Sequence, residues 1–196
     1  MNILPKKKTR ITPDEYLEID SNSDIRHEYF NGDIFAMTGS SLRHNIINTN
    51  ISRELGNRLI AKNSNCNVLS NDMRVKVQEI EKYTYPDIAV VCGEIELEDG
   101  KFDTLMNPVI IIEILSDSTE AYDRGKKFFH YRLIPSLQEY ILVSQYFCLV
   151  ERFIRKDDAT WNLSSYDRME QTLRIESIGC DVPLSDIYRW IEFEGN

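Results

Sequence analysis

The stretch from Val109 to Leu115 reads VIIIEIL and is the most apolar strand-like run in the chain. A continuous apolar run of this length predicts a strand that is covered on both faces, as in sheets flanked by helices. The pattern then predicts a helix that begins at a cap among residues 116–119 and ends before Pro135, followed by a strand over residues 139–144. This order is typical of a β-α-β crossover. The sequence therefore predicts an α/β fold with a mixed β-sheet flanked by helices.

Further elements are predicted on both sides of this central unit. Asn31-Gly32 between two strand-like runs is typical of a type I′ turn, which predicts an N-terminal hairpin. Its pairs would be Phe30 with Asp33, Tyr29 with Ile34 and Glu28 with Phe35. The other predicted elements are helices over residues 11–19 and about 43–61, strands over 68–77 and 88–92, and a C-terminal antiparallel meander over 147–155, 160–166 and 172–175. We expect a flexible arm over residues 1–10 and a single domain over residues 11–196.

The charge and the cysteines restrict the functional class. A net charge of −9 over 196 residues argues against a protein that coats nucleic acid non-specifically, because phosphate contacts require lysine and arginine. No apolar run approaches 18 residues and none follows the basic N-terminus, so we expect a cytoplasmic protein without a membrane span or secretory signal. The cysteines are widely spaced and form no C-x-x-C pair, which predicts reduced thiols and argues against zinc. They are Cys66, Cys92, Cys148 and Cys180.

Glu113 is the one charged residue inside the apolar run. Side-chain alternation places it on the same face of the predicted strand as Ile111 and Leu115. A buried carboxylate is costly unless it has a partner, a proton or a metal ion. Asp87, directly after Pro86, opens another strongly apolar strand. If the two strands are adjacent, Asp87 and Glu113 could hold a hard divalent cation between oxygen ligands.

The helix predicted after Glu113 carries further charged groups. Asp123, Lys127 and Tyr131 are spaced i, i+4 and i+8 and therefore form one stripe, and Lys126 lies at its boundary. A lysine near two carboxylates could orient a water or stabilise the charge on a pentavalent phosphorus.

These residues resemble a known pattern. Pro86-Asp87, followed by Glu113 in the next strongly apolar strand, is similar to the PD-(D/E)XK nuclease superfamily. More closely, the chain resembles the Uma-two family of restriction-endonuclease-like proteins, which is abundant in cyanobacteria. The resemblance covers roughly residues 11–145. The matching segments are HEYFNGDIFAM, the helix that His44 opens, DMRVKV, YPDIAVVCG, VIIIEILSDSTEAYDRGKKFFHYR and PSLQEYILV.

The resemblance implies a restriction endonuclease-like core that hydrolyses phosphodiester bonds with a divalent metal, Mg²⁺ or Mn²⁺. Its substrate would be nucleic acid, with DNA expected, and Asp87 and Glu113 would be the metal ligands. The superfamily usually has a lysine two residues after the glutamate, where this chain has Leu115. The resemblance implies that the lysine has moved onto the following helix, to Lys127, with Lys126 as the alternative.

Three further residues match recurrent positions of the family. Glu28 in the hairpin and His44 would complete the site, by contact with the metal ligands or by proton transfer. Asp72 matches as well. A core of this kind exposes sheet edges, so a homodimer is also expected.

Each candidate residue also has a structural interpretation. Asp87 could end a turn, Glu113 could pair with Arg132, and Lys127 could be a solvated partner of Asp123. His44 could be a hydrogen-bonded core histidine, and Glu28 a plain exposed strand residue. Two alternative functions remain open. The first is a catalytically degenerate nuclease fold that acts as a nucleic-acid-binding or regulatory protein. The second is an unrelated metal-dependent hydrolase of small phosphoesters.

Overall fold

The computed structural model describes residues 10–98, 100, 103–117, 119–157 and 160–193, so the predicted N-terminal arm lies outside the described residues except for Arg10. The helices are α1 (Pro13–Ser21), α2 (Leu42–Ala61), α3 (Glu120–Tyr122), α4 (Phe128–Tyr131) and α5 (Leu184–Ile187). The strands are β1 (His27–Phe30), β2 (Asp33–Ala36), β3 (Cys66–Ser70), β4 (Arg74–Val77), β5 (Lys82–Thr84), β6 (Ile88–Cys92), β7 (Thr104–Leu105), β8 (Ile110–Leu115), β9 (Glu139–Ser144), β10 (Val150–Arg155), β11 (Trp161–Tyr166), β12 (Thr172–Ile175) and β13 (Cys180–Pro183).

A six-stranded mixed sheet in the order β11-β10-β9-β8-β6-β3 forms the centre of the fold. Strands β8 and β9 run parallel, and the other neighbouring pairs are antiparallel. The helical segment that contains α3 and α4 joins the two parallel strands, which confirms the predicted crossover. Strand β6 lies directly beside β8, with Ile88 opposite Ile112.

Strand β8 is covered on both faces, as its sequence predicts. Ile110, Ile112 and Ile114 belong to one apolar cluster, while Ile111 and Leu115 belong to another. The first cluster includes the apolar stripe of α2, namely Ile47, Ile51, Leu55 and Leu59. The second includes residues of α4 and β9, among them Tyr131, Tyr140 and Leu142. Glu113 is therefore the one charged side chain in a strand with two buried faces.

The N-terminal hairpin has the predicted register, with Phe30 opposite Asp33 and Glu28 opposite Phe35. Asn31 and Gly32 have φ values of 52° and 84°, as a type I′ turn requires. Strands β1 and β2 form one end of a second sheet, in the order β2-β1-β5-β4-β7. This sheet was not predicted, because β5 and β7 contain only three and two residues and such short strands leave little periodicity to recognise.

Two other predicted elements differ from the structure. In place of one regular helix, α3 and α4 flank a π-helical turn over Asp123–Lys127. The turn contains Gly125, whose low helix propensity reduces the cost of leaving α-helical geometry, and π-helical turns are frequent at functional sites. The meander is also shorter than predicted, since β12 pairs with β13 in a separate two-stranded sheet. Leu173 and Ile175 of β12 are buried in the cluster that covers α2 instead of extending the central sheet.

The prediction of four reduced thiols is wrong for one pair. Cys66 and Cys92 are directly opposite each other in β3 and β6 and form a disulfide, whereas Cys148 and Cys180 are free. The prediction failed because Cys66 and Cys92 are 26 residues apart in sequence, and only the pairing register of β3 and β6 brings them together. No helix within the described ranges is long and apolar enough to cross a membrane.

Replacing Gly32 by alanine is expected to lower the free energy of unfolding by about 1–2 kcal/mol, because Gly32 has a left-handed backbone. A Cβ atom there would also lie 2.7 Å from Cβ of Arg10. Gly56→Ala is the matched control, because a Cβ atom there meets nothing within 4 Å. Alanine in helix α2 should raise the free energy of unfolding by about 0.5–1 kcal/mol. Urea denaturation measures the free energy of unfolding of both variants. A stable Gly32→Ala protein would contradict the assigned turn.

Candidate active site

The predicted site residues meet at a cavity of about 440 Å³ between the hairpin, the start of α2, the ends of β6 and β8, and α3. Glu28, His44, Asp87, Glu113 and Lys127 all line it. A larger cavity of about 860 Å³ lies elsewhere and has none of these five residues in its wall. We assign the candidate site to the smaller cavity because it contains the buried charged network described below.

Asp87 directly precedes β6, which pairs with β8, the strand that carries Glu113. Its Oδ2 accepts a hydrogen bond of 2.7 Å from the backbone N–H of Ile114 and lies 3.1 Å from Nε2 of His44. The N-cap of α2 fixes the histidine, since Oγ of Ser41 accepts the backbone N–H of His44 at 3.1 Å. The Asp87 carboxylate is thus held by strand pairing on one side and by α2 on the other.

Glu113 is 3% exposed and lies at the floor of the cavity. Its Oε1 is 2.9 Å from Nζ of Lys127 and accepts a 2.9 Å hydrogen bond from the hydroxyl of Tyr131. Burial, reinforced by the nearby carboxylates of Asp87 and Asp123, raises the pKa of Glu113 to about 8 although Lys127 opposes the shift. Burial is the main cause of this shift, so folding favours the protonated form of Glu113.

Lys127 is the cation at the centre of three carboxylates. Its Nζ lies 2.9 Å from Glu113, 3.5 Å from Asp123 and 3.7 Å from Glu28. Burial acts to lower the pKa of Lys127, but the surrounding acidic groups outweigh it and raise that pKa well above its ordinary value. Lys127 is therefore charged at neutral pH. It is buried, so it is not a solvated partner of Asp123 alone.

Glu28 reaches the site from the hairpin. The Oγ1 hydroxyl of Thr84 donates a hydrogen bond to its Oε1. Burial would raise the pKa of Glu28, but Lys127, Lys82 and the Thr84 hydrogen bond outweigh it, so the pKa is lowered. Glu28 is therefore ionised and faces the cavity, unlike a plain exposed strand residue.

The other residues singled out by the sequence lie outside the cavity. Lys126 is exposed and is not part of the cavity wall, so geometry favours Lys127 over it. Asp72 is 76% exposed at its side chain and faces Arg26 at 3.5 Å. Arg132 is exposed and stacks over the ring of Phe129 at 4.8 Å, so it is not the partner of Glu113.

Asp123 and Tyr131 have a larger part in the site than the sequence indicated. Burial raises the pKa of Asp123, and its Oδ1 is buried without a hydrogen-bond partner in the described part of the chain. The i, i+4, i+8 spacing from Asp123 through Lys127 to Tyr131 was the available signal. It did not show that this stripe faces β8.

The arrangement fits a hard divalent cation, although the described residues include no ready-made cluster of three or more His, Cys, Asp or Glu ligands. Asp87 and Glu113 provide oxygen donors on adjacent strands, which is the ligand chemistry that Mg²⁺ and Mn²⁺ prefer. Burial, together with the nearby carboxylates of Asp87 and Asp123, disfavours the ionised form of Glu113. A bound cation would favour that form.

Comparison with known proteins gives consistent results. The Uma2 family model, described as "Putative restriction endonuclease", matches residues 13–184. Two uncharacterized proteins of Synechocystis sp., slr1290 and sll1609, are each 34% identical to this chain. The match to slr1290 covers 94% of this chain and 94% of slr1290. The match to sll1609 covers 79% of this chain and 86% of sll1609. A crystal structure titled as a putative nuclease belonging to DUF820, from Anabaena variabilis, is similar with a TM-score of 0.75 at 19% identity, over 93% of this chain and 99% of that one. This likeness confirms the predicted fold class.

Proposed function

Because the chain belongs to the Uma2 family of restriction-endonuclease-like proteins, we propose that it is a divalent-metal-dependent nuclease that hydrolyses phosphodiester bonds, with DNA as the expected substrate. One observation carries the proposal: a buried Glu113 beside Asp87, in contact with a buried lysine, at the floor of an open cavity. Buried acids with strongly shifted pKa values in a cleft are typical of catalytic sites.

Asp87 and Glu113 would hold Mg²⁺ or Mn²⁺. Such an ion, when bound, polarises a phosphate oxygen and lowers the pKa of a coordinated water. Lys127 Nζ, kept charged by its carboxylate neighbours, would orient the attacking water or stabilise the charge that develops on the phosphoryl oxygens. This role corresponds to the superfamily lysine that Leu115 replaces, which makes Lys127 the migrated lysine of the proposal.

His44 and Glu28 have positioning roles in this scheme. His44 Nε2 lies 3.1 Å from the Asp87 carboxylate and would donate a hydrogen bond that fixes its orientation, as groups behind metal ligands commonly do. Its Nδ1 is buried and has no hydrogen-bond partner within the described residues, so Nε2 is the ring nitrogen that contacts the site. Glu28 would hold Lys127 in its charged form.

The degenerate-fold alternative explains less. A binding module gains nothing from a network of buried carboxylates around a buried lysine, because burying charged groups is costly. Its remaining support is the net charge of −9. A homodimer stays a prediction.

The test is calorimetric titration of Mg²⁺ and Mn²⁺, together with cleavage assays on plasmid, single-stranded DNA, RNA and a chromogenic phosphodiester. Metal binding with metal-dependent cleavage of nucleic acid supports the proposal. Cleavage of the chromogenic diester alone would favour a small-phosphoester hydrolase. No metal binding in the presence of oligonucleotide would favour the degenerate fold.

Replacing His44 by alanine is expected to weaken metal affinity and cleavage by about 10- to 100-fold, since Asp87 loses the group that orients it. His44→Gln should recover part of the loss, because its amide nitrogen can occupy a position near that of Nε2. Calorimetry and the initial cleavage rate measure the two effects. If alanine and glutamine variants both behave as the parent, His44 is a core histidine without a positioning role.

A further inference from the structure

Three exposed side chains with large apolar surfaces line the candidate site, and they bear on which substrate can enter. Phe35 is 53% exposed, Tyr146 is 37% exposed, and both line the cavity together with the exposed Met37. Exposed aromatic side chains around a polar site are more informative than isolated surface apolar residues. We call Phe35, Met37 and Tyr146 the apolar rim.

Both aromatic residues of the rim are fixed relative to the catalytic candidates. Phe35 is directly opposite Glu28 in the hairpin, so the two side chains lie on the same face of the sheet. The hydroxyl of Tyr146 accepts a 3.1 Å hydrogen bond from the backbone N–H of Asp117, and its own backbone N–H donates to Oγ of Ser144 at 3.2 Å. The rim is thus a preformed part of the site.

The charge of the cavity opposes the usual way of holding a duplex. Five acidic residues line the cavity, and Lys127 is the single lysine or arginine among the described lining residues. That lysine is already paired with carboxylates. Duplex binding depends on many lysine and arginine contacts to phosphates, which this wall does not offer. A single strand also carries phosphates, but its unpaired bases can stack on aromatic rings, which contributes about 1–3 kcal/mol per base and is not open to the paired bases of a duplex.

We propose that the apolar rim stacks unpaired bases on Phe35 and Tyr146, so that the substrate enters the site as a single strand. This inference rests on the proposed function, because that function places the scissile phosphate between the rim and Glu113. The substrate class would then be single-stranded nucleic acid or the unpaired segments of a longer molecule.

The experiment measures fluorescence anisotropy of a labelled single strand and its duplex, with Ca²⁺ in place of Mg²⁺ and a denaturing gel to verify that the strand is intact. We expect the parent to bind the single strand at least about ten-fold more tightly than the duplex. Phe35→Ala and Tyr146→Ala should each weaken single-strand binding by about ten-fold, while Phe35→Trp retains it. Phe129→Ala is the control, because Phe129 is exposed but lies outside the cavity.

Equal affinity for duplex and single strand, or unchanged affinity in the alanine variants, would overturn the inference. So would a change in sedimentation of the rim variants without loss of binding, because the rim would then be a contact between two copies. Failure of the nuclease proposal gives a different pattern: single strands bind through the rim, but no strand is cleaved in Mg²⁺ or Mn²⁺. Cleavage that the rim variants leave unchanged would contradict only the stacking role.

Discussion

Glu113→Gln is expected to reduce nuclease activity by about a thousandfold or more, without unfolding the protein. The carboxylate is a proposed metal ligand, and a neutral amide is a poor substitute for it. Because Gln has nearly the same shape, the contacts with Tyr131 and Lys127 can persist as hydrogen bonds. Initial rates of plasmid nicking and single-strand cleavage, at matched protein concentration, measure the loss.

The same substitution should leave stability unchanged or raise it in alkaline solution. The folded pKa of Glu113 is raised from its ordinary value of 4.5 to about 8, so folding favours the protonated form. Stability contributed in this way is complete below about pH 4.5 and is lost as pH rises through about 8. The metal-free parent should therefore lose stability over this range, while Glu113→Gln should not lose this contribution. Thermal unfolding at several pH values, in EDTA, compares them.

Asp72→Asn is the control for this prediction. The family resemblance also pointed to Asp72, but its side chain is 76% exposed and faces Arg26 outside the cavity. We expect the Asp72→Asn variant to cleave at the rate of the parent, whereas Asp87→Asn should be as inactive as Glu113→Gln. A fully active Glu113→Gln would refute the metal-ligand assignment. An inactive Asp72→Asn would place part of the substrate path beyond the cavity.

The elements that could be predicted carry their signal locally. The hairpin register follows from Asn31-Gly32, because a two-residue type I′ turn leaves one pairing for the flanking strands. Strand β8 follows from its unbroken apolar run. The apolar run of β8 and the proline before Asp87 pointed to Glu113 and Asp87, whereas Glu28 was expected at the site from the family resemblance; all three line one cavity. The choice of Lys127 over Lys126 depended on the family resemblance.

The features that were missed depend on contacts between distant segments. Strand β5 is only three residues long and includes Lys82, so no apolar pattern marks it. The Cys66–Cys92 disulfide depends on the register of β3 against β6. The burial of Asp123 depends on which face of its helical segment packs against the sheet, and the π-helical turn there changes the facing from that of a regular helix.

Lys127→Met is expected to reduce cleavage by about 100- to 1,000-fold, whereas Lys126→Met should have no effect. The two lysines are adjacent in sequence but differ in position, since Lys127 is buried among carboxylates and Lys126 is exposed. Loss of one preorganised charge at a reacting centre has an effect of this size. The matched pair therefore separates the chemistry of the buried ammonium from the general charge of the helix, and initial cleavage rates measure it.

Removing Lys127 should also destabilise the metal-free protein, because Glu28, Glu113 and Asp123 then lose their shared cation. Breaking a buried ion pair in this way costs about 3–5 kcal/mol. If the cavity binds a divalent ion, saturating Mg²⁺ should restore much of the stability of Lys127→Met without restoring cleavage, since a ligand that binds only the folded state stabilises it. Urea denaturation with and without Mg²⁺ tests this. If Mg²⁺ restored cleavage together with stability, the role of Lys127 would be structural. If Lys126→Met lost as much cleavage as Lys127→Met, the choice of Lys127 over Lys126 would be wrong.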